Sequence, residues 1–189
     1  HSIHGAYNEA MHVFIQKGLL DYIDKSGLGF REGAPIVILE MGLGSGLNVL
    51  LTSMYSECVG VDYIALEVNP VSTEVVSRLN YAASLGLESD VFERIHSDDW
   101  GVGFPLNNRF SLKKLKESII SFEPSVGVGV PIDLVFYDAF SPQVQPEVWS
   151  EEIFCKLYDS MVNGGVLVTY CAKSSVRRSL QACGFKVEQ

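Results

Sequence analysis

Apolar positions along this chain fall into short runs that switch between two periods. Ala10, Val13, Phe14, Leu19, Leu20 and Tyr22 recur at helical spacing over residues 8–25, which predicts an N-terminal helix or helix pair ended by Gly27 and Gly29. Pro35 then opens Ile36–Leu39, a continuous apolar run of the kind buried on both faces of a parallel sheet. A glycine-rich turn follows at 42–46, and Leu47–Leu51 reads as a helix start. Asp62–Leu66 is the second strand, stopped by Glu67, Asn69 and Pro70; a helix is expected from about Ser72 to Leu85, ending at Gly86. Val91–His96 reads as a third strand and Ile132–Tyr137, ending at Asp138, as a fourth. Ser150 suits a helix N-cap, because Glu151 and Glu152 in the first turn complement the helix dipole. Asn163-Gly164-Gly165 marks a turn, Val166–Tyr170 a fifth strand, and Ser174–Ala182 a last helix stopped by Gly184. Phe185–Val187 begins a sixth strand.

Strands alternating with helices predict an α/β fold: a mostly parallel sheet with helices on both faces. Residues 101–130 break the alternation. Lys113, Lys114, Leu115, Lys116 and Ile119 fit helical spacing there, so this stretch is expected to be an insertion between strands three and four. The 189 residues suit a single domain, 1–189, whose opening segment, about 1–30, is helical. A hydrophobic content of 47% with 20% charged residues excludes a wholly disordered chain.

No run approaches the ~18 consecutive apolar residues of a membrane span. The polar, mixed first residues do not resemble a signal peptide, so a cytoplasmic protein without a membrane partner is expected. Cys58, Cys155, Cys171 and Cys183 form no C-x-x-C pair and are expected to be free thiols in a reducing compartment. His1, His4, His12 and His96 belong to no metal-binding motif, so no metal is expected. The net charge of −9 argues against a sequence-blind nucleic-acid coat. It leaves room for a nucleic-acid enzyme with a small basic face. Lys113, Lys114 and Lys116, and Lys173, Arg177 and Arg178, are candidates to hold phosphates, or are ordinary solvated helix faces.

In an open parallel sheet, ligands bind beyond the carboxyl ends of the strands. The residues just after each strand therefore carry the candidate chemistry. Glu40-Met41-Gly42-Leu43-Gly44-Ser45-Gly46 follows the first strand, and its glycines let a ligand approach the main chain closely. Glu67 lies 25 residues beyond Gly42, where an acid at the end of the second strand can accept both ribose hydroxyls. No Lys-Ser/Thr follows the glycines, which excludes a P-loop, and their G-x-G-x-G spacing is not the dinucleotide G-x-G-x-x-G. E-x-G-x-G-x-G instead resembles motif I of class I methyltransferases, whose cofactor, S-adenosylmethionine, has no phosphate. That resemblance implies a Rossmann-like fold and makes Glu40 available to the methionine ammonium or its waters. The same resemblance implies a carboxylate for the adenine amino group after the third strand, a role for which Asp98 and Asp99, before Trp100, compete, with Asp98 slightly favoured.

Asp138 ends the fourth strand, beside where the sulfonium methyl would sit. Methyl transfer to an amine needs a neutral nitrogen whose lone pair is held near the methyl. A neighbouring carboxylate orients that amine, takes its proton and stabilises the developing positive charge. Phe140 and Pro142 can form an apolar wall, with Phe140 able to stack on a base. Tyr170 either lines the pocket or belongs to the core.

F-Y-D-A-F-S-P-x-x-x-P-E-x-W, from Phe136 to Trp149, resembles the signature of the tRNA 5-methylaminomethyl-2-thiouridine methyltransferases. His1–Ile15, with its Glu before H-V-F, Glu40–Asn48, and Asn163–Phe185 are similar to three further blocks of that family in the same order. The resemblance implies methylation of 5-aminomethyl-2-thiouridine to 5-methylaminomethyl-2-thiouridine at the tRNA wobble position. It implies that Gly42, Gly44, Gly46 and Asn48 belong to the cofactor loop, that Glu67 is the ribose acid and that Asp138 is catalytic. The first residues are expected to start inside the family's opening segment, and the end at Gln189 to leave the last strands incomplete. The flavin oxidase half of the bifunctional relatives is expected to be absent, so that a separate enzyme prepares the aminomethyl substrate. The rival expectations are a small-molecule amine methyltransferase, an aminopropyltransferase of the spermidine-synthase kind, or a binding module that kept the fold.

Overall fold

A computed structural model describes residues 3–25, 34–56, 59–79, 81–86, 89–97 and 99–188. Asp98, Cys58, and Gly27 with Gly29 lie outside the described residues. One sheet of six strands runs through the molecule in the order β3-β4-β2-β1-β5-β6. Its strands are β1 (Ile36–Met41), β2 (Val61–Leu66), β3 (Gly103–Asn107), β4 (Phe110–Leu115), β5 (Ile132–Tyr137) and β6 (Met161–Val168). All neighbours pair in parallel except β3 and β4, which form an antiparallel edge hairpin.

Chain order explains where a site must lie. From β1 the chain builds outward through β2 to β4, then returns to add β5 and β6 on the other side of β1. The carboxyl ends of β1 and β5 therefore meet at the topological switch point, where a crevice opens. Residues in β1 and β5 are buried almost continuously, as strands covered on both faces should be.

Helices cover both faces. The N-terminal segment is continuous: α1 (Ile3–Ala10), a π-helical stretch (Met11–Leu20) and α2 (Asp21–Lys25). It packs Phe14, Ile15 and Leu19 on one face of the sheet, together with α3 (Leu47–Ser53). Its far end is fastened by the Tyr22 hydroxyl, which donates to Asp133 Oδ1, while Asp133 Oδ2 accepts from the Val37 amide. The short helices α4 (Thr73–Val76), α5 (Tyr81–Ser84) and α6 (Ser89–Ile95) follow β2. α7 (Pro124–Gly127) precedes β5, and a 3-10 turn (Pro146–Trp149) follows it. On the opposite face α8 (Glu151–Ser160) and α9 (Ser174–Ala182) cover Leu39, Val135 and Tyr137. Ser150 caps α8 by accepting from the Ile153 amide, as the sequence predicts.

Five expectations are corrected. Val91–His96 is not a strand but most of α6: Phe92 and Ile95 are buried one turn apart while Glu93 and Arg94 are exposed. Residues 101–130 are not an insertion with a helix over Lys113–Ile119. They supply β3 and β4, and β4 is the parallel neighbour of β2. Phe110, Leu112 and Lys114 alternate inward with Ser111, Lys113 and Leu115, the period of two that defines a strand. The helix expected over Ser72–Leu85 is broken into α4 and α5. The Asn163–Gly165 turn lies inside β6: Ile132 faces Met161 and Leu134 faces Val166, so these residues bulge, with Gly164 at φ +83°. Phe185–Val187 forms no strand; Phe185 packs edge-on against Tyr158 of α8 instead.

The expectation of free thiols is corrected too. Cys155 and Cys183 form a disulfide between α8 and the residue that ends α9, with Cα atoms 4.8 Å apart. Cys171 is free. Among the described residues no helix is long and apolar enough to cross a membrane.

The strand assignment of β4 is testable by urea denaturation. Leu112→Ala is expected to cost about 2–5 kcal/mol, as a fully buried leucine does, and Lys113→Ala less than about 1 kcal/mol. A helix over this stretch would not separate the two neighbours in that way.

Candidate functional site

The site is built where β1 and β5 end side by side. Pairing of Met41 with Tyr137 continues into a bond from the Asp138 amide to the Met41 carbonyl, 3.0 Å. The amides of Gly42 and Leu43 both donate to Leu66 O, which turns the loop back over β2. Gly42 has φ +91°, and a Cβ there would lie 2.7 Å from the Asp138 carbonyl oxygen. The loop can pass the end of β5 only with hydrogen at this position. Gly44, also at positive φ, faces open space, with nothing within 4 Å of where a Cβ would be.

Two carboxylates converge at the switch point. Glu40 is 1% exposed, and Asp138 is half-buried. The Asn48 side chain, from the first turn of α3, joins them: Nδ2 donates to Glu40 Oε1 at 2.8 Å and to Asp138 Oδ2 at 3.1 Å. Glu40 Oε2 is buried without a hydrogen-bond partner. The Tyr63 hydroxyl approaches from β2 and couples to Glu40 electrostatically, but it too lacks a well-formed hydrogen bond.

Burial dominates the electrostatics. It raises the Glu40 carboxyl well above its ordinary range; the Asn48 bond opposes the rise, and the charge of Asp138 adds to it. Burial likewise pushes Asp138 up to about 6, again opposed by Asn48 and reinforced by Glu9. Tyr170 is raised by desolvation and by Asp138, Cys171 and Glu9. Like charges this close disfavour double ionisation, so the two carboxylates act as a coupled pair.

The remaining expected residues fall around this pair. Glu67 closes the glycine loop from the end of β2: Oε2 accepts from the Gly44 amide at 2.9 Å, and Oε1 from the Asn69 amide at 2.8 Å. An ionised carboxylate has about four acceptor positions, so these bonds leave room for ribose hydroxyls. Gly46 begins α3 at φ +73°. Asp99 is exposed on the loop after α6. Phe140 is 68% exposed two residues beyond Asp138, and Pro142 is half-buried beside it. The Tyr170 hydroxyl donates to the Ala139 carbonyl, which ties the chain after β6 to the segment carrying Asp138 and Phe140. Trp149 Nε1 donates to Phe140 O at 2.8 Å and steadies the same segment.

Asn48 donates both amide hydrogens to the carboxylates. One expectation changes. Lys114 is fully buried, with Nζ donating to Ile95 O and Ser97 O and lying 4.9 Å from the Trp100 ring, so it is closed to phosphate. Of that lysine cluster Lys116 is exposed, while Lys113 donates to Gly127 O. Sequence reasoning missed His96, whose Nε2 contacts Ser45 O at 3.0 Å and braces the glycine loop from α6. No spacing rule could have shown it, because a loop brought 51 residues back by the fold is its partner. The charge of Glu9, on α1, is also felt at Asp138 and Tyr170.

Comparison with known proteins fits this geometry. Residues 109–189 match the family described as S-adenosyl-L-methionine-dependent methyltransferase. The chain is similar to the tRNA 5-methylaminomethyl-2-thiouridine biosynthesis bifunctional protein MnmC of Cupriavidus metallidurans, 29% identical over 203 residues covering 100% of this chain and 29% of that protein. The protein of the same name from Actinobacillus pleuropneumoniae is 29% identical over 180 residues, 81% of this chain and 25% of its own length. The chain thus spans less than a third of these relatives. Among solved structures, MNMC2 from Aquifex aeolicus superposes with a TM-score of 0.66 at 24% identity, over 96% of this chain and 55% of that one. Human methyltransferase-like protein 13 in complex with SAH gives 0.51 at 16% identity, over 95% and 70%. These likenesses bear out the Rossmann-like α/β fold and the S-adenosylmethionine cofactor.

The residues present fit that cofactor. A buried acid with an unpartnered oxygen, Glu40, suits an ammonium group. The open space over Gly44 admits a ligand against the main chain. Gly42→Ala is expected to lower affinity for S-adenosylhomocysteine more than tenfold in calorimetry, since its Cβ must displace the Asp138 backbone. Asp138→Asn is expected to stabilise the protein at pH 8 by about 1–3 kcal/mol, the scale of a raised carboxyl allowed to stay neutral. The sign follows from the raised value: the neutral form is favoured in the fold, so wild-type stability falls as pH rises through about 6. The difference should vanish below pH 4. Urea denaturation at the two pH values measures it, and equal gaps would contradict the assignment.

Proposed function

We propose that the chain, read as one methyltransferase domain over residues 1–189, methylates the exocyclic amine of 5-aminomethyl-2-thiouridine at the tRNA wobble position. The product is 5-methylaminomethyl-2-thiouridine. The observation that carries this reading is the bridged pair of Glu40 and Asp138, with exposed Phe140 two residues away. Together they offer two recognition elements, the Asp138 carboxyl for an amine and the Phe140 ring for a base. The names of the relatives supply the nucleoside.

Glu40, Gly42, Gly44, Gly46 and Glu67 hold the cofactor, with Glu40 on the ammonium and Glu67 on the ribose. Asp98 or Asp99 takes the adenine amino group. S-adenosylmethionine, when bound, supplies an electrophilic methyl group and takes back the electron pair of the broken carbon–sulfur bond. Asp138 accepts an N–H of the neutral substrate amine and directs its lone pair toward the methyl. Once alkylated, the nitrogen is a secondary ammonium, and Asp138 takes the proton it sheds, directly or through water. A carboxyl raised to about 6 is well matched to that work near neutral pH. Phe140 stacks on the uracil ring and Pro142 and Tyr170 complete the wall.

The acidic chain needs local cations to meet tRNA. Lys173, Arg177 and Arg178 around the start of α9, with exposed Lys116, are the candidates. This activity belongs to the cytoplasm, needs no metal or membrane, and consumes an aminomethyl nucleoside made by a flavin oxidase or another enzyme.

Purified protein is expected to methylate tRNA carrying the aminomethyl nucleoside and not free polyamines. Asp138→Asn is expected to lose about 100-fold or more in kcat while still binding S-adenosylhomocysteine. Nucleoside mass spectrometry of tRNA from cells lacking the protein should show the aminomethyl form accumulating. Methylation of polyamines in place of tRNA would overturn the substrate.

A further inference from the structure

We propose that Asn48 is a positioning residue that couples cofactor binding at Glu40 to the orientation of Asp138, because one side-chain amide group holds both carboxylates. This rests on the reading of Asp138 as the group that meets the amine. It differs from the role the sequence implies for Asn48, that of a cofactor ligand.

An Asn side chain has two amide hydrogens. The distances of 2.8 Å to Glu40 and 3.1 Å to Asp138 commit one to each. The opposite amide orientation would aim an acceptor oxygen at two carboxylates, so the network itself fixes which atom points inward. Asn48 is 4% exposed and has little freedom to let go of one partner without the other. Its backbone is fixed as well: Asn48 O accepts from the Thr52 hydroxyl at 2.7 Å inside α3.

The partners then set the consequence. Asp138 is faced by Asn48 from α3, Glu40 from β1, Tyr63 from β2, Glu9 from the N-terminal helix and Tyr170 after β6. Glu67 adds its charge at Glu40. Asn48 is a neutral donor hydrogen-bonded to both carboxylates, and it opposes the rise of each. A cationic cofactor group at the unpartnered Glu40 Oε2 favours ionised Glu40. Through the shared amide and mutual repulsion, both carboxylates then titrate as one unit. Cofactor binding near pH 6 therefore releases protons, and Asp138 is aligned in the complex that needs it.

Two measurements test this. Calorimetric titration of the wild-type protein with S-adenosylmethionine near pH 6, in two buffers of different ionisation enthalpy, should show net proton release. Release should be smaller with S-adenosylhomocysteine, which lacks the sulfonium charge. Zero release, or proton uptake, would overturn the coupling. Asn48→Ala, with folding checked by its thermal transition, is expected to lose at least tenfold in kcat at pH 7. Its acid limb should move alkaline by about one pH unit, with much of the loss recovered at pH 9. Asn48→Asp, of the same shape but with an oxygen in place of the NH2 group, should lose more than Asn48→Ala. A higher KM for S-adenosylmethionine with an unmoved limb would make Asn48 a cofactor ligand instead. Failure of the wild-type protein to methylate tRNA would count against the substrate and leave the proton-release result standing.

Discussion

Two carboxylates share a low-dielectric crevice and would repel each other if both were charged. Everything at the switch point answers that constraint. β1 and β5 must end in register to bring Glu40 and Asp138 together. The loop after β1 must contain Gly42, since any side chain there would meet the Asp138 carbonyl. Asn48 must stand at the head of α3, where its amide reaches both acids. The cost of keeping the pair is stability, and the result is an Asp138 carboxyl pushed up to about 6.

The surroundings hold that pair in place from several elements. Glu67 grips the glycine loop through the Gly44 amide, and His96 braces it through Ser45. Lys114, buried in β4, satisfies the carbonyls of Ile95 and Ser97 and so fixes the end of α6. Tyr170 and Trp149 tie down the segment from Asp138 to Phe140. Phe140, two residues beyond Asp138, is left exposed.

Much of this was legible in the order of residues. Ile36–Leu39 is an unbroken apolar run and Ile132–Tyr137 is broken only by Asp133, and each proved a doubly covered strand whose next residues form the site. The glycine spacing and Glu67 pointed to a nucleoside cofactor without a phosphate. What misled was charge. Lys113, Lys114 and Lys116 looked like a solvated helix, because a lysine is rarely buried. Lys114 is buried through long-range carbonyls and aromatic rings that no local pattern reveals. Val91–His96 contains the β-branched and aromatic residues of a strand, yet tertiary packing on α3 selects the helix. The disulfide joins cysteines 28 residues apart whose proximity depends on α8 packing beside α9.

Asn48 gives both amide hydrogens to acids, a bridge that its place in a matching block does not reveal. The central claim is that Glu40 faces the cofactor's ammonium while Asp138 faces the methyl. A crystal structure with S-adenosylhomocysteine tests it most directly. The account requires the amino group within hydrogen-bond distance of Glu40 Oε2, and the Asp138 carboxylate lining the space next to the sulfur. Asp138 turned into bulk water, or Glu40 without a ligand contact, would contradict it.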